Sequence, residues 1–560
     1  MMQYQRDASR HYWLIVLLSC TVNCFGDETE EWTLDFEKKS RIDLLFDEWN
    51  SGTTPGAAIG IVRRGKPLYS RAYGIANLDH SAPLRTDSLF YIASASKQFT
   101  AAGVAMLAQQ GVLDLDADIR TWLTELPDIE PPITVRHLLH HTSGVRDYGT
   151  LMALQGRSFN QYFDNVQTVA LLGQQRGGNF APGDRYQYCN SNYVLLAEIL
   201  KRCSGTTIRE FSQEHIFRPL RMERTQWVTD PRQPLRSRVT SYLRSNDSDG
   251  WLRFDVNFGG HGDGNLWTSV DDLFRWDANF FDATVGGADL IRRMLTPGKL
   301  NDGTQLDYAF GLLRGEHKGH HTVSHGGQLF GYSAEILRFP DRDLTVIVLA
   351  NTASIDASEM ARAIADIVLG LPSASGDHTN EERSHLNQQV ASAFAGEFYQ
   401  ASLGRVLTVS FLDQTLTLEG LGAPMPLSLD HENRFRNAAA DVAVDFVMKD
   451  GIAEELYLKL PTAVESDTAR RLKRNRIVNR GLSGRYRSDE LMRDWTLRVV
   501  GERLEILVGG QTFELSPLDS MHAETDLFDI ELRLDGQGRM VGFTVFSDGA
   551  SGIEFVRDAP

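Results

Sequence analysis

The chain has 560 residues, 42% hydrophobic and 23% charged, with only 18 prolines. That is the composition of a globular protein long enough for two to four domains, not of a disordered one. Lys and Arg number 57 against 74 Asp and Glu, a net charge of −17, and no basic stretch could follow a phosphate backbone, so nucleic acid is not expected as a partner.

The N-terminus has the layout of a secretory signal over residues 1–26. Arg6 and Arg10 precede an apolar run from Tyr12 to Leu18, then come small residues and an acidic segment from Asp27. The apolar run is shorter than the about 20 residues a membrane-spanning helix needs. Processing is expected near Gly26, or before Cys20, because "LLSC" resembles a bacterial lipoprotein box. A lipid on Cys20 would then be the one membrane contact of an otherwise soluble protein, exported to the periplasm or secreted.

After Asp27, "KKSRIDLLFDEWNSG" predicts a helix. "GAAIGIVRRG" and "KPLYSRAYG" then predict a hairpin turning at Arg64-Gly65. "FYIASASKQFTAAGVAMLAQQG", Phe90 to Gly111, passes from a strand-like run into an amphipathic helix, with Ser94 and Lys97 three positions apart. A helix starting near Ser94 puts both on one face, one turn from each other. There the helix N-terminus favours negative charge on an attacked carbonyl oxygen, and a lysine kept neutral by burial can take the hydroxyl proton. The alternative is a capping serine and a lysine reaching to solvent.

Further along, "DLDAD" after Leu113 lacks the glycine and distal glutamate of a calcium loop and reads as a solvated turn. In "HLLHH", His137, His140 and His141 lack an intervening glutamate and a third ligand, so packing beside "HTSG" is expected rather than a metal. "FAPGDRYQYCNSNYVLLAEIL" places Tyr188 and Asn190 just before a helix, where a phenol and an amide can project onto a cleft as proton relay and orienting group. Cys189 and Cys203 bracket that helix, which at 1.5 Å per residue holds the thiols about 21 Å apart, beyond disulfide reach. "HGDGN", His261 to Asn265, reads as a tight turn lining the cleft, and Trp267 as core. His325-Gly326-Gly327 opens a strand whose glycines permit close approach of a substrate.

"SAEILRFP" and "LTVIVLANT", joined by Pro340-Asp341-Arg342-Asp343, predict a second hairpin, followed by the helix "DASEMARAIADIVLG". The order implies an antiparallel sheet built from both ends of a domain and flanked by helices, an α/β arrangement over 27–371. A polar linker or bridging helix over 372–391 follows. Two repeats of just under ninety residues then alternate in short β runs, "GEFYQASLGRVLTVSF" from Gly396 resembling "GRYRSDELMRDWTLRVV" from Gly484, with Leu407 set against Leu497 and Val409 against Val499. They suggest two small all-β, lipocalin-like barrels, 392–478 and 479–560.

Ser-x-x-Lys, Tyr-x-Asn about ninety residues later and His-x-Gly before the last strands, in that order, resemble the penicillin-recognising serine hydrolases. The branch in question holds class C β-lactamases, DD-carboxypeptidases, esterases and D-aminopeptidases. "TVRHLLHHTSGVRDY" and "NLWTSVDDLFRW" are similar to segments of the same family, and the likeness runs from about Ile42 to Gly370. It implies Ser94 as acylated nucleophile, Lys97 as base, Tyr188 as partner in acylation and deacylation, and Asn190 as orienting amide. By the same match, Gly327 lies on the substrate strand and the backbone N–H groups of Ser94 and Gln328 form the oxyanion hole. His325 stands where many members have lysine, which weakens recognition of a substrate carboxylate.

The two terminal barrels are similar to those of D-aminopeptidases. The expected activity is therefore that of a D-aminopeptidase or D-amino-acid amidase or esterase without metal or organic cofactor, acting on a small peptide, amide or ester. A carboxylesterase, a β-lactamase or DD-carboxypeptidase, and a silent receptor for cell-wall peptide are the alternatives. A homodimer is the assembly left open. The barrels are expected to serve as scaffold or to cap the cleft.

Overall fold

Ala57–Arg63 is buried along all but its last residue, which fits a strand reading apolar on both faces. In the computed structural model it lies inside a six-stranded antiparallel sheet. The order is Leu313–His317, His320–Leu329, Tyr332–Phe339, Leu344–Ala350, Ala57–Arg63, Lys66–Tyr73. The described residues are 34–558 except 159–160, 246–249, 373–387, 401–404, 413–414, 420–424, 432, 438–441, 450, 460–466, 472–480, 502, 519–520, 526, 538 and 548. The signal, the lipid box at Cys20 and most of the linker expected above lie outside them.

The two ends of the domain meet in register, Ala57 opposite Ala350 and Arg63 opposite Leu344. The first hairpin turns through Arg64 and Gly65, with φ of 50° and 68°, the left-handed pair that a two-residue turn between twisted strands requires. One face of the sheet is covered by Phe36–Leu44 and Ala357–Leu369, whose Ile42 and Ile364 pack with Val346 and Val348. Against the other face lies the helix Val270–Asp282, close enough that a Cβ on Gly60 would fall 2.5 Å from the Phe274 ring. Beyond it, Lys97–Gln109 and Asn190–Ser204 are buried nearly all round, as helices in the middle of a domain must be. Among the described residues no helix is long and apolar enough to cross a membrane.

The C-terminal repeats are two closed eight-stranded barrels, Gly396–Arg471 and Gly484–Arg557. Closure leaves no free sheet edge, and a barrel of this size is filled by its own side chains. Phe398, Leu407, Phe435 and Phe446 fill the first; Tyr486, Trp495, Phe543 and Phe555 fill the second. The repeat alignment needs correction. Gly396 pairs with Val409 and Gly484 with Leu497, so Val409 corresponds to Leu497 and Leu407 to Trp495. The expected match was two residues off, and a two-residue slip leaves every side chain on the same face, so alternation alone does not reveal it.

The helix Gln388–Phe394 straddles the expected end of the linker and, by its packing, belongs to the first barrel: Ala391 and Phe394 enter that barrel's core. The second barrel docks on the α/β domain. Arg146 and Glu490 form a buried ion pair at 2.5 Å, the Arg146 guanidinium also donates to the Ser551 carbonyl at 2.8 Å, and the Asp147 N–H donates to the Gly549 carbonyl at 2.7 Å.

Candidate active site

The strand Phe90–Tyr91 pairs with Leu266–Thr268. The chain then turns through a 3₁₀ segment, Ala93–Ser96, before the α-helix starts at Lys97. The helix was expected from Ser94; instead Ser94 sits on the tight entry turn, where Ala93 has φ of 44°. This turn lifts Ser94 to the rim of a cleft of about 430 Å³ while Lys97 points into the protein. Tyr188, His325, Gly327 and Gln328 line the same cleft.

Lys97 is fully buried, and its Nζ donates to Ser94 Oγ at 3.0 Å, to Asn190 Oδ1 at 2.9 Å and to the Asp263 carbonyl at 3.0 Å. Burial lowers its pKa to about 8, against the opposing pull of Asp263 and Asp147. As an ammonium the lysine satisfies all three acceptors. As an amine it donates to Asn190 and Asp263 and turns its lone pair to the Ser94 hydroxyl, the arrangement a general base requires. Tyr188 stands with its ring centroid 4.8 Å from Lys97 Nζ. Burial raises its pKa well above that of an ordinary phenol, and a hydrogen bond with Ser94 draws it back only in part. The phenol is therefore neutral near pH 7 and suited to relaying a proton, whereas the lysine is the group poised to take one.

His325 is buried, its Nε2 3.0 Å from the Tyr308 hydroxyl and its Nδ1 2.6 Å from the Gly326 carbonyl. A carbonyl only accepts, so Nδ1 carries the proton and Nε2 receives the Tyr308 O–H. Burial, helped by Lys97, lowers the His325 pKa to about 3. The imidazole is neutral over the physiological range and offers no cation to a substrate carboxylate.

On the strand His320–Leu329, the pairing to Leu313–His317 ends at Leu313 opposite Ser324. Beyond that point this edge has no strand neighbour among the described residues, and the Ser94 turn lies against it. A Cβ on Gly327 would meet the Ile92 carbonyl oxygen at 2.3 Å and the Ser94 nitrogen at 2.7 Å. Only glycine lets the strand come this near, and the approach brings the backbone of Ser94 and of Gln328 to one side of the cleft, the placement an oxyanion hole needs.

The three histidines go to three structural tasks. His137 completes the capping box of Val135–Leu139 with Thr134, and His140 Nδ1 lies 3.1 Å from the Arg136 carbonyl. His141 accepts from the Cys189 N–H at 3.1 Å and packs against the Tyr188 ring, tilted, with centroids 4.3 Å apart. It therefore braces the segment carrying Tyr188 and Asn190. "HGDGN" does border the site, with Asp263 supplying a carbonyl to Lys97, and Trp267 is core.

A model of the Beta-lactamase family matches residues 42–369, the span that holds all of these groups. The chain belongs to that family. The D-aminopeptidase of Brucella anthropi is 28% identical over 529 residues, covering 90% of this chain and 96% of that protein. Penicillin-binding protein 4* of Bacillus subtilis (strain 168) is 28% identical over 437 residues, 75% of this chain and 96% of that protein. The octameric penicillin-binding protein homologue from Pyrococcus abyssi shares the fold, with a TM-score of 0.54 and 21% identity over 77% of this chain and 99% of that one.

Within this beta-lactamase-family domain, four residues that sequence reasoning did not single out complete the site. Asp147 caps the helix Tyr148–Leu154 and accepts the Asn190 N–H at 2.7 Å. Asp263 accepts the Tyr148 hydroxyl at 2.8 Å and is raised in pKa by burial, Lys97 opposing. Tyr308 donates to His325 Nε2, the nitrogen left unprotonated by the Nδ1–Gly326 carbonyl bond, and Glu335 is a buried carboxylate on the cleft wall. Asp147, in the "HTSGVRDY" run, carried a signal as an N-cap residue ahead of a helix, and Asp263 lay inside "HGDGN", the turn expected to line the cleft; Tyr308 and Glu335 carried none. Among the described residues no barrel side chain lines the cleft; the second barrel reaches Asp147, behind Asn190, and does not cap the opening.

Proposed function

We propose that the protein is a serine hydrolase of the D-aminopeptidase and D-amino-acid amidase type, acting on small amides or peptides through an acyl-enzyme on Ser94. The observation that carries this is the buried Lys97, held by Asn190 and Asp263 with its third position on Ser94 Oγ. Neutral Lys97 takes the Ser94 proton as Oγ bonds to the substrate carbonyl carbon. The resulting oxyanion is received by the N–H groups of Ser94 and Gln328. Tyr188 passes a proton to the leaving nitrogen as the C–N bond breaks, and water, deprotonated along the same route, then cleaves the ester to Ser94.

Two observations favour the aminopeptidase type over a β-lactamase or DD-carboxypeptidase. His325 is neutral and buried where a carboxylate-binding cation would be needed. The match to the Brucella anthropi D-aminopeptidase also covers 90% of this chain, well beyond the α/β domain alone. The reading is tested with the p-nitroanilides of D- and L-alanine, p-nitrophenyl butyrate and nitrocefin. Turnover of the D-anilide in preference to the L-anilide supports it; turnover of butyrate alone would replace it with a carboxylesterase, and of nitrocefin alone with a β-lactamase. Export is a further part of the proposal and rests on the signal pattern of residues 1–26.

A further inference from the structure

Asp263 meets Lys97 through its backbone and again through its charge. Its carbonyl accepts from Lys97 Nζ at 3.0 Å, and covalent geometry then keeps its carboxylate within about 8 Å of that nitrogen. Two glycines bring it there. A Cβ on Gly262, where φ is 107°, would fall 2.4 Å from the Tyr193 carbonyl oxygen, and one on Gly264 would fall 2.7 Å from the Tyr91 hydroxyl. The loop thus closes on the helix Asn190–Ser204 and carries an acidic side chain into the core, 7% exposed.

The carboxylate is sparsely bonded there. Tyr148, stacked between Phe163 and Phe258, donates its O–H to Oδ2 at 2.8 Å, while Oδ1 is buried with no hydrogen-bond partner among the described residues. A buried carboxylate retained for packing alone would have both oxygens met. Asp147, the other acid beside Lys97, is the contrast. It accepts from the N–H groups of Gly149, Thr150 and Asn190, at 2.9, 3.3 and 2.7 Å, so a helix start already balances its charge. Asp263 stands at no helix start, and the cation it interacts with is Lys97.

We infer that Asp263 is a positioning residue for the reaction, acting through Lys97: its negative charge keeps the buried lysine basic enough to take the Ser94 proton. This rests on the hydrolase reading above and gives a task to a residue that does not itself line the cleft. Burial alone would drive Lys97 further toward a weakly basic amine, and an opposite charge at short range in a poorly solvated interior restores part of the loss. Burial raises the Asp263 pKa, with Lys97 and the Tyr148 hydrogen bond opposing and Asp147 adding to the rise. The charge that steadies the lysine is thus itself held by the lysine. Besides Asp147, the titratable groups facing the pair keep one charge where Lys97 titrates. Burial lowers the pKa of His141, His261 and His325, leaving them neutral. It raises those of Tyr91, Tyr148, Tyr188, Tyr193 and Cys189, leaving them protonated.

The test is the pH dependence of fluorophosphonate acylation in Asp263→Asn, which keeps the shape and an oxygen for the Tyr148 hydroxyl but removes the charge. The wild type is expected to reach half its plateau rate near pH 8. The variant is expected to do so about one pH unit lower or more, the effect of one charge at about 8 Å with an effective dielectric constant of about 20. Its plateau falls severalfold, because a weaker base accepts the serine proton less readily. The rate at pH 6 divided by that at pH 9.5 therefore rises about tenfold, a ratio in which the fraction of correctly folded protein cancels. Asp263→Ser, a second neutral replacement, is expected to move the profile the same way and decides the matter should Asp263→Asn fail to fold. A half-maximal pH that is unchanged or raised in an active neutral variant overturns this inference and leaves the hydrolase reading standing. No acylation of the wild type at any pH overturns both.

Discussion

Lys97 Nζ and Ser94 Oγ stand 3.0 Å apart on consecutive helical turns, the lysine fully buried and the serine at the rim of the cleft. The pair works only if the lysine can lose its proton. Lys97→Arg keeps the charge and much of the volume, but a guanidinium does not deprotonate. Both Lys97→Arg and Lys97→Met are expected to slow acylation by a fluorophosphonate by about 10²–10⁴-fold, the range for loss of a general base. Stopped-time labelling with mass detection measures it.

The pH dependence has a definite sign. Lys97 is active as the neutral amine, and its pKa is lowered to about 8, so the fluorophosphonate acylation rate should climb tenfold per unit below pH 8 and level off above it. His325, held near 3, should leave no inflection between pH 5 and 7. A flat profile from pH 6 to 9 would remove Lys97 as the base.

Gly327→Ala places a Cβ against the Ile92 carbonyl and the Ser94 nitrogen, both backbone atoms that cannot rotate away. The strand must retreat from the Ser94 turn, and with it the Gln328 N–H. Loss of one oxyanion donor lowers kcat by about 10²–10³-fold. Steady-state hydrolysis of D-alanine p-nitroanilide, with circular dichroism to confirm the fold, measures the effect.

The Arg146–Glu490 pair joins the second barrel to the segment that holds Asn190, its side chains 4% and 7% exposed. Glu490→Ala strands a buried guanidinium and should cost about 3–5 kcal/mol in denaturant unfolding, whereas replacing both partners by apolar residues, Arg146→Met with Glu490→Leu, should cost much less. Because Asp147 bonds to both Gly549 and Asn190, the single variant should also lower kcat.

Much of the site could be read from the sequence because its spacing is local. Ser94 and Lys97 are held together by one helical turn, and Tyr188 and Asn190 flank a single helix start. What stayed hidden depends on long-range placement. Asp147 meets Asn190 across 43 positions, and Glu335, inside the run "SAEILRFP", reads only as one residue of a strand. Its contact with Gly326 arises only when the two strands pair. The sheet assembled from both ends of the domain was legible through its two hairpins. The barrel register was not, because alternation repeats every two residues. That the second barrel docks behind Asn190 rather than over the cleft depends on Arg146 and Glu490, 344 positions apart.

The central claim is that Ser94 is the nucleophile, and intact mass after exposure to a fluorophosphonate tests it most directly. The wild-type protein should gain one adduct, mapped to the peptide containing Ser94, and folded Ser94→Ala should gain none. An unlabelled wild type, or an adduct that persists in Ser94→Ala, would contradict the account.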